Sequence, residues 1–156
     1  MNVASMMSTP VFTATKDTPV AEVVRTMKER RVSAIPVIDH EQKVIGVVTV
    51  ADLVPQSRNA PASNVQLMSL QDEYVDFASI GSAYEKLARA AASEVMQQKI
   101  VTVRPEAEIG TAARMMVEHK LAALPVVGDD GVLVGIVTRT DVARLAIDGR
   151  KPSRPA

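Results

Sequence analysis

Residues 46–52 read GVVTVAD, and residues 135–141 read GIVTRTD. Each phrase has a glycine, two β-branched residues, a threonine and an aspartate three places after it. The β-branched run reads as a strand, and T-x-x-D reads as the start of a helix. Sliding the chain against itself by the 89 positions that separate the phrases aligns residues 5–55 with 94–144 without a gap. Met7 falls on Met96, Thr13 on Thr102, Arg25 on Arg114, Met27 on Met116, Glu29 on Glu118, and Pro36-Val37 on Pro125-Val126. The chain is an internal duplication. A solenoid needs three or more short units stacked in one direction, so two copies predict a pseudo-symmetric pair.

Working outward from the phrase, each copy repeats one order of signals. Residues 11–14 (VFTA) and 100–103 (IVTV) predict a brief first strand, followed by turn-like TKDT and RPEA. In the first copy Thr18 is placed to cap a helix starting at Pro19, with Val20, Val23, Val24, Met27 and Val32 at helical spacing. In the second, Ile109, Ala112, Ala113, Met116, Val117 and Leu121 repeat that spacing, with Ala107 a poor cap. Then AIPVID (34–39) and ALPVVG (123–128), polar turns, and VIGVVT (44–49) or LVGIVT (133–138) make a hairpin signature before helical VADLV and RTDVARLAI. The expected class is α/β (α+β), with two β-α-β-β-α units packed together through their sheets. A unit of about 50 residues buries little apolar surface alone, so the copies are expected to share one core.

The organisation read this way is unit 1 at 1–55, a connector at 56–93, unit 2 at 94–148 and a frayed tail at 149–156. The connector opens as polar QSRNAPASN and ends in SAYEKLARAAASEV, which predicts a helix leading into the second copy. Its middle, VQLMSLQDEYVDF, fits a short amphipathic helix or a flexible flap.

Composition narrows the function classes. The 156 residues carry 18 basic and 18 acidic side chains, so no overall field draws the chain to nucleic acid or an anionic membrane. There is no cysteine, which removes disulfides, thiolate metal sites and a cysteine nucleophile, and suits a reducing compartment. MNVASMMSTP lacks the basic and apolar regions of a leader, and no apolar run approaches the roughly 18 residues that span a bilayer. Cytoplasm is the expected location. His40 and His119 have no second ligand at metal spacing, and no G-x-S-x-G, P-loop or H-E-x-x-H is present, so neither metal site nor catalysis is expected. The methionines fit core gaps rather than a cofactor box.

T-x-x-D has a plain reading as a helix cap, with threonine oxygen and aspartate carboxylate satisfying first-turn amides. Glycine can mark a close backbone approach. The same geometry carries a functional reading. A strand entering a helix leaves amides and a positive dipole end outward, where phosphate binds. Aspartate repels phosphate, but its oxygens accept hydrogen bonds from the 2′ and 3′ hydroxyls of a ribose, while threonine donates to phosphate or sugar oxygen. Thr49 with Asp52, and Thr138 with Asp141, therefore suit a nucleoside with a short phosphate tail, and Gly46 and Gly135 would let it lie against the strand.

The set as a whole resembles a tandem pair of CBS domains, often called a Bateman module. The resemblance rests on SMMSTPVFTATKDTPV and EVMQQKIVTVRPEAEI, SAIPVID and AALPVVG, and the two closing phrases. It implies a regulatory, non-catalytic module that binds AMP, ADP, ATP or S-adenosylmethionine in two clefts, pairs as a homodimer, and signals in trans to an unidentified protein target. It also implies that Thr13, Thr102 and the Ile35-Pro36 and Leu124-Pro125 pairs edge the adenine pockets, positions that equally suit a core. Arg139, where the first copy has Val50, can reach a phosphate, so the second site is expected to prefer phosphate more. The gamma subunits of the AMP-activated kinase often carry basic side chains two and three residues before the proline, where this chain has Ser33-Ala34 and Ala122-Ala123. Fewer cations there argue against tight triphosphate binding. The rival reading is an unliganded dimerisation module in which T-x-x-D only caps helices.

Overall fold

Both hairpins form, and they form alike. In the computed structural model, which describes residues 1–53 and 84–148, strand β1 (Ala34–Ile38) pairs antiparallel with β2 (Val44–Thr49), and β3 (Ala123–Val127) with β4 (Leu133–Thr138). Ala34 lies opposite Thr49 and Val37 opposite Gly46; Ala123 lies opposite Thr138 and Val126 opposite Gly135. The helices are α1 (Val20–Arg30), α2 (Val50–Leu53), α3 (84–89), α4 (Ala92–Val95), α5 (Ile109–Glu118) and α6 (Arg139–Asp148). The connector's polar opening and middle, and the tail, lie outside the described residues.

The first strand is shorter than its sequence suggests. It is reduced to one parallel bridge per unit, Ala14 with Val37 and Val103 with Val126. Ala14 N–H donates to Pro36 O (3.0 Å), and Val103 N–H donates to Pro125 O (3.0 Å).

The isolated bridges are themselves related by the repeat offset and expose an exchange of segments. Asn2 pairs with Glu108 and Ser8 with Ile136, so the N-terminal segment docks on the second unit. Ala91 pairs with Pro19 and Gln97 with Val47, so the segment that opens the second unit docks on the first. Lys43 pairs with its own repeat equivalent, Val132, placing the pseudo-twofold axis between the two hairpins.

The exchange also starts the long helices. Thr18 does not cap α1; its hydroxyl accepts from the Thr15 amide (3.0 Å), and Pro19 is the N-cap residue with no side-chain cap. Instead Val20 N–H donates to Ala90 O (2.8 Å), and in α5 Ile109 N–H donates to Met1 O (3.0 Å). Carbonyls of the exchanged segments thus satisfy first-turn amides that a side chain would otherwise cap. For the same reason the alanine-rich helix expected at 82–95 is broken at Ala90 and Ala91. Ala91 is extended at φ −80° and ψ 152°, and its amide is taken by the Glu94 carboxylate (2.6 Å). Tertiary docking outweighs alanine's helix propensity.

Each unit has its own core, not the single shared one expected. Val23, Met27, Ile35, Val37 and Val48 pack with the incoming Ala92, while Ala112, Met116, Leu124, Val126 and Val137 pack with the incoming Val3. Between the units a small seam of Ala34, Ala123 and Ile136, flanked by Val11 and Val47, joins the sheets. Strand alternation explains the split: Ile35, Val37 and Val48 face their own helices, whereas Ala34 and Val47 face the seam.

The β1–β2 turn is tied by Asp39, whose Oδ1 accepts from the amides of Glu41 (2.9 Å) and Lys43 (3.0 Å). Gln42 at φ 62° and its equivalent Gly131 at φ 79° occupy the left-handed position of each turn. The Lys43 amide holds the Asp39 carboxyl below its ordinary value of 3.8, against a smaller opposing effect of burial. Because the folded-state pKa is depressed, the stability this group contributes is present above 3.8 and lost as pH falls through the lower folded value. Asp39→Asn should therefore flatten the acid limb of the melting temperature below about pH 4, read by circular dichroism melts across pH.

Candidate functional site

Thr49 ends β2 on the seam side, and Asp52 sits one helical turn later. The Thr49 amide and hydroxyl both donate to Asp52 Oδ2, at 2.7 and 2.9 Å. The second copy repeats this with Thr138 and Asp141 at 2.9 and 2.8 Å, and the Asp141 amide returns a bond to Thr138 Oγ1 at 3.2 Å. These bonds make a full capping box at Thr138 and Asp141 and the carboxylate half of one at Thr49 and Asp52, as the plain reading of T-x-x-D expects. Thr49 and Thr138 are 7% and 8% exposed, and Asp141 only 3%. Neither aspartate faces a cation: among the described residues the ion pairs are Lys43–Glu41 and Arg104–Asp129. Two carboxylates thus lie beside the inter-unit seam, held by hydrogen bonds and the positive end of a helix.

The predicted site residues separate into groups. Thr49, Asp52, Thr138 and Asp141 come together in pairs at strand-to-helix junctions. Arg139 is exposed, next to Asp141's cap; its Nε donates to Leu121 O (2.6 Å), and its Nη groups have no partner among the described residues. Thr13 is exposed and Thr102 half-buried, each adjoining a bridge residue, Ala14 or Val103. Pro36 and Pro125 are buried, and their carbonyls are engaged by those bridges.

The remaining predicted positions, Ile35, Leu124, Gly46 and Gly135, lie against the protein's own side chains. Ile35 and Leu124 point into the cores of their own units, at 1% and 0% exposure, and do not offer side-chain surface to a ligand at the seam. Gly46 and Gly135 are not open strand positions either. A Cβ on Gly46 would collide with Met96, whose Sδ is nearest and Cγ 2.8 Å away; on Gly135 it would collide with Met7, Cγ 2.9 Å away. The glycines admit the methionines of the exchanged segments. That role could have been glimpsed in the alignment of Met7 with Met96, but the crossing between units carries no local signal.

Gln97 was missed altogether. Its backbone pairs with Val47, and its Nε2 donates to Asp52 Oδ1 at 2.9 Å. Its repeat equivalent is Ser8. Among the described residues no group of three or more His, Cys, Asp or Glu is arranged to hold a metal ion, and His40 and His119 are exposed. No helix among the described residues is long and apolar enough to cross a membrane.

Comparison with known proteins places this geometry. The family model described as CBS domain matches residues 3–57 and 92–148. An uncharacterised Methanocaldococcus jannaschii protein, MJ1426, is 27% identical over 94% of this chain and 92% of its own length. The chloroplastic CBS domain-containing protein CBSX1 of Arabidopsis thaliana is 29% identical over 83% of this chain, and the aligned region spans 56% of that relative. Among solved structures, CBSX2 in complex with AMP is 26% identical, with a TM-score of 0.69 over 96% of this chain and 99% of that one. The CBS domain pair of MJ0100, 21% identical, shares the fold at a TM-score of 0.71 over 96% and 98%. With two family matches covering most of its length and the fold of a CBS domain pair, the chain belongs to the CBS domain family.

Proposed function

We propose that this chain is a non-catalytic sensor of adenosine-containing ligands, AMP foremost, gripped at two pseudo-symmetric sites by Thr49 with Asp52 and Thr138 with Asp141. The observation that carries the reading is the doubled carboxylate beside the seam, without a cation among the described residues and with threonine alongside. A cation partner would suit a structural ion pair; a carboxylate held only by neutral donors suits exchange with neutral hydroxyl donors such as those of ribose. The 26% identity to CBSX2, crystallised with AMP, supports the same chemistry here. Arg139 beside the second site supports phosphate there, and the small side chains at Ser33, Ala34, Ala122 and Ala123 favour a monophosphate or S-adenosylmethionine over a triphosphate. The signal would pass in trans, through a homodimer whose arrangement the ligand shifts by binding one state more tightly. Such coupling is typically about 1–3 kcal/mol.

A second reading has its own support: the capping box at Thr138 and Asp141 is complete without any ligand, as a purely structural T-x-x-D requires. A thermal-shift panel of AMP, ADP, ATP, S-adenosylmethionine, NAD and cyclic di-AMP separates the two. A ligand at a hundredfold its Kd should add roughly 2.7 kcal/mol of stability. We expect AMP or S-adenosylmethionine to raise the melting point, and a flat panel would leave only the interaction module.

A further inference from the structure

Resting on the nucleotide-grip reading above, we propose that Gln97 is a built-in competitor for the first grip and makes the two sites unequal. Asp52 is engaged on both oxygens: Oδ2 by the Thr49 amide and hydroxyl, and Oδ1 by Gln97 Nε2 at 2.9 Å. An amide N–H on a carboxylate oxygen occupies the position that a sugar hydroxyl would take, with the same donor chemistry. Asp141 has the same two bonds on Oδ2, but among the described residues nothing donates to its Oδ1.

The difference traces to one repeat position. Ser8 pairs with Ile136 through both backbone bonds, at 2.8 and 3.2 Å, as Gln97 pairs with Val47 at 2.9 and 3.2 Å. Both side chains are therefore launched from the same place beside a grip; both carry a donor, but only glutamine has the reach. The exchange of segments makes this an inter-unit device: Gln97 lies in the opening segment of the second unit and controls the first unit's site. A ligand at Asp52 must displace Gln97 or share Oδ1 with it, while a ligand at Asp141 meets an oxygen to which no described residue donates. The second site fills first, and the first responds at higher ligand concentration.

Adenosine is the probe, since it lacks phosphate and so removes Arg139 from the comparison. Its Kd at each site is read from the Thr49 and Thr138 amide resonances of the full chain during an NMR titration. In the native chain Thr138 should saturate first. Gln97→Ala should tighten binding at Thr49 about three- to tenfold, the equilibrium weight of one hydrogen bond, and leave Thr138 unchanged. Ser8→Gln should weaken binding at Thr138 by a similar factor, which a merely structural role for this position would not produce. Response at Thr49 only in Gln97→Ala would also support the competitor. Unchanged or weaker binding at Thr49 in Gln97→Ala overturns it while leaving the nucleotide grip intact. No titration of either amide in the native chain or in Gln97→Ala overturns the grip and the competitor together.

Discussion

Asp141→Ala should lose about 2–3 kcal/mol of folding stability, and Asp52→Ala about 1 kcal/mol, measured from urea unfolding midpoints. The substitutions are chemically identical and their surroundings are not. Removing the Asp141 carboxylate leaves the Thr138 amide and hydroxyl without an acceptor where Asp141 is 3% and Thr138 8% exposed, so little water can replace it. Loss of a cap costs about 0.5–2 kcal/mol, and orphaning a buried donor adds to it. Asp52 is half-buried, and water can reach the Thr49 donors once it is gone. Equal losses would mean that the two junctions are equally hydrated.

Gly135→Ala should cost about 1–3 kcal/mol through overpacking, because the new methyl lands on the Met7 side chain, with Met7 Cγ at 2.9 Å and Cβ at 3.1 Å. The cost is not local to the strand. Met7 adjoins Ser8, whose backbone bonds to Ile136 hold the N-terminal segment on the second unit, so displacement of Met7 loosens the exchange. A double-mutant cycle isolates the effect: with Met7→Ala, the alanine at 135 should be tolerated, and the double variant should be more stable than the sum of the singles by about 1–3 kcal/mol, the cost of Gly135→Ala alone. Strict additivity would show that Met7 and Gly135 do not constrain each other. Gly46→Ala against Met96→Ala should behave likewise, with Gln97 O at 3.1 Å adding a backbone obstacle that a side-chain deletion cannot relieve.

The hairpins, the long helices and the T-x-x-D junctions were legible because each is written locally and written twice: strand alternation, helical spacing and a threonine three places before an aspartate. What local pattern could not show is which copy each segment serves. Thr18 has the chemistry of a cap, yet Ala90 O reaches the Val20 amide first. The 82–95 segment has the composition of one continuous helix, yet it breaks where Ala91 docks on Pro19. The resemblance put Ile35 and Leu124 at a pocket edge beside Pro36 and Pro125, positions that equally suit a core, and strand alternation turns their side chains into the cores. Gln97 lies in the quoted EVMQQKIV stretch, but nothing there points to Asp52; the bond between them spans 45 positions of sequence.

The central claim is that the repeated threonine-to-aspartate junction grips a nucleotide as well as starting a helix. Equilibrium dialysis of labelled AMP against the native chain, Asp52→Ala and Asp141→Ala, each verified as folded, tests it most directly. Two AMP should be retained per native chain at saturation, and each variant should lose one. No retained AMP, or the same count in all three proteins, would contradict it.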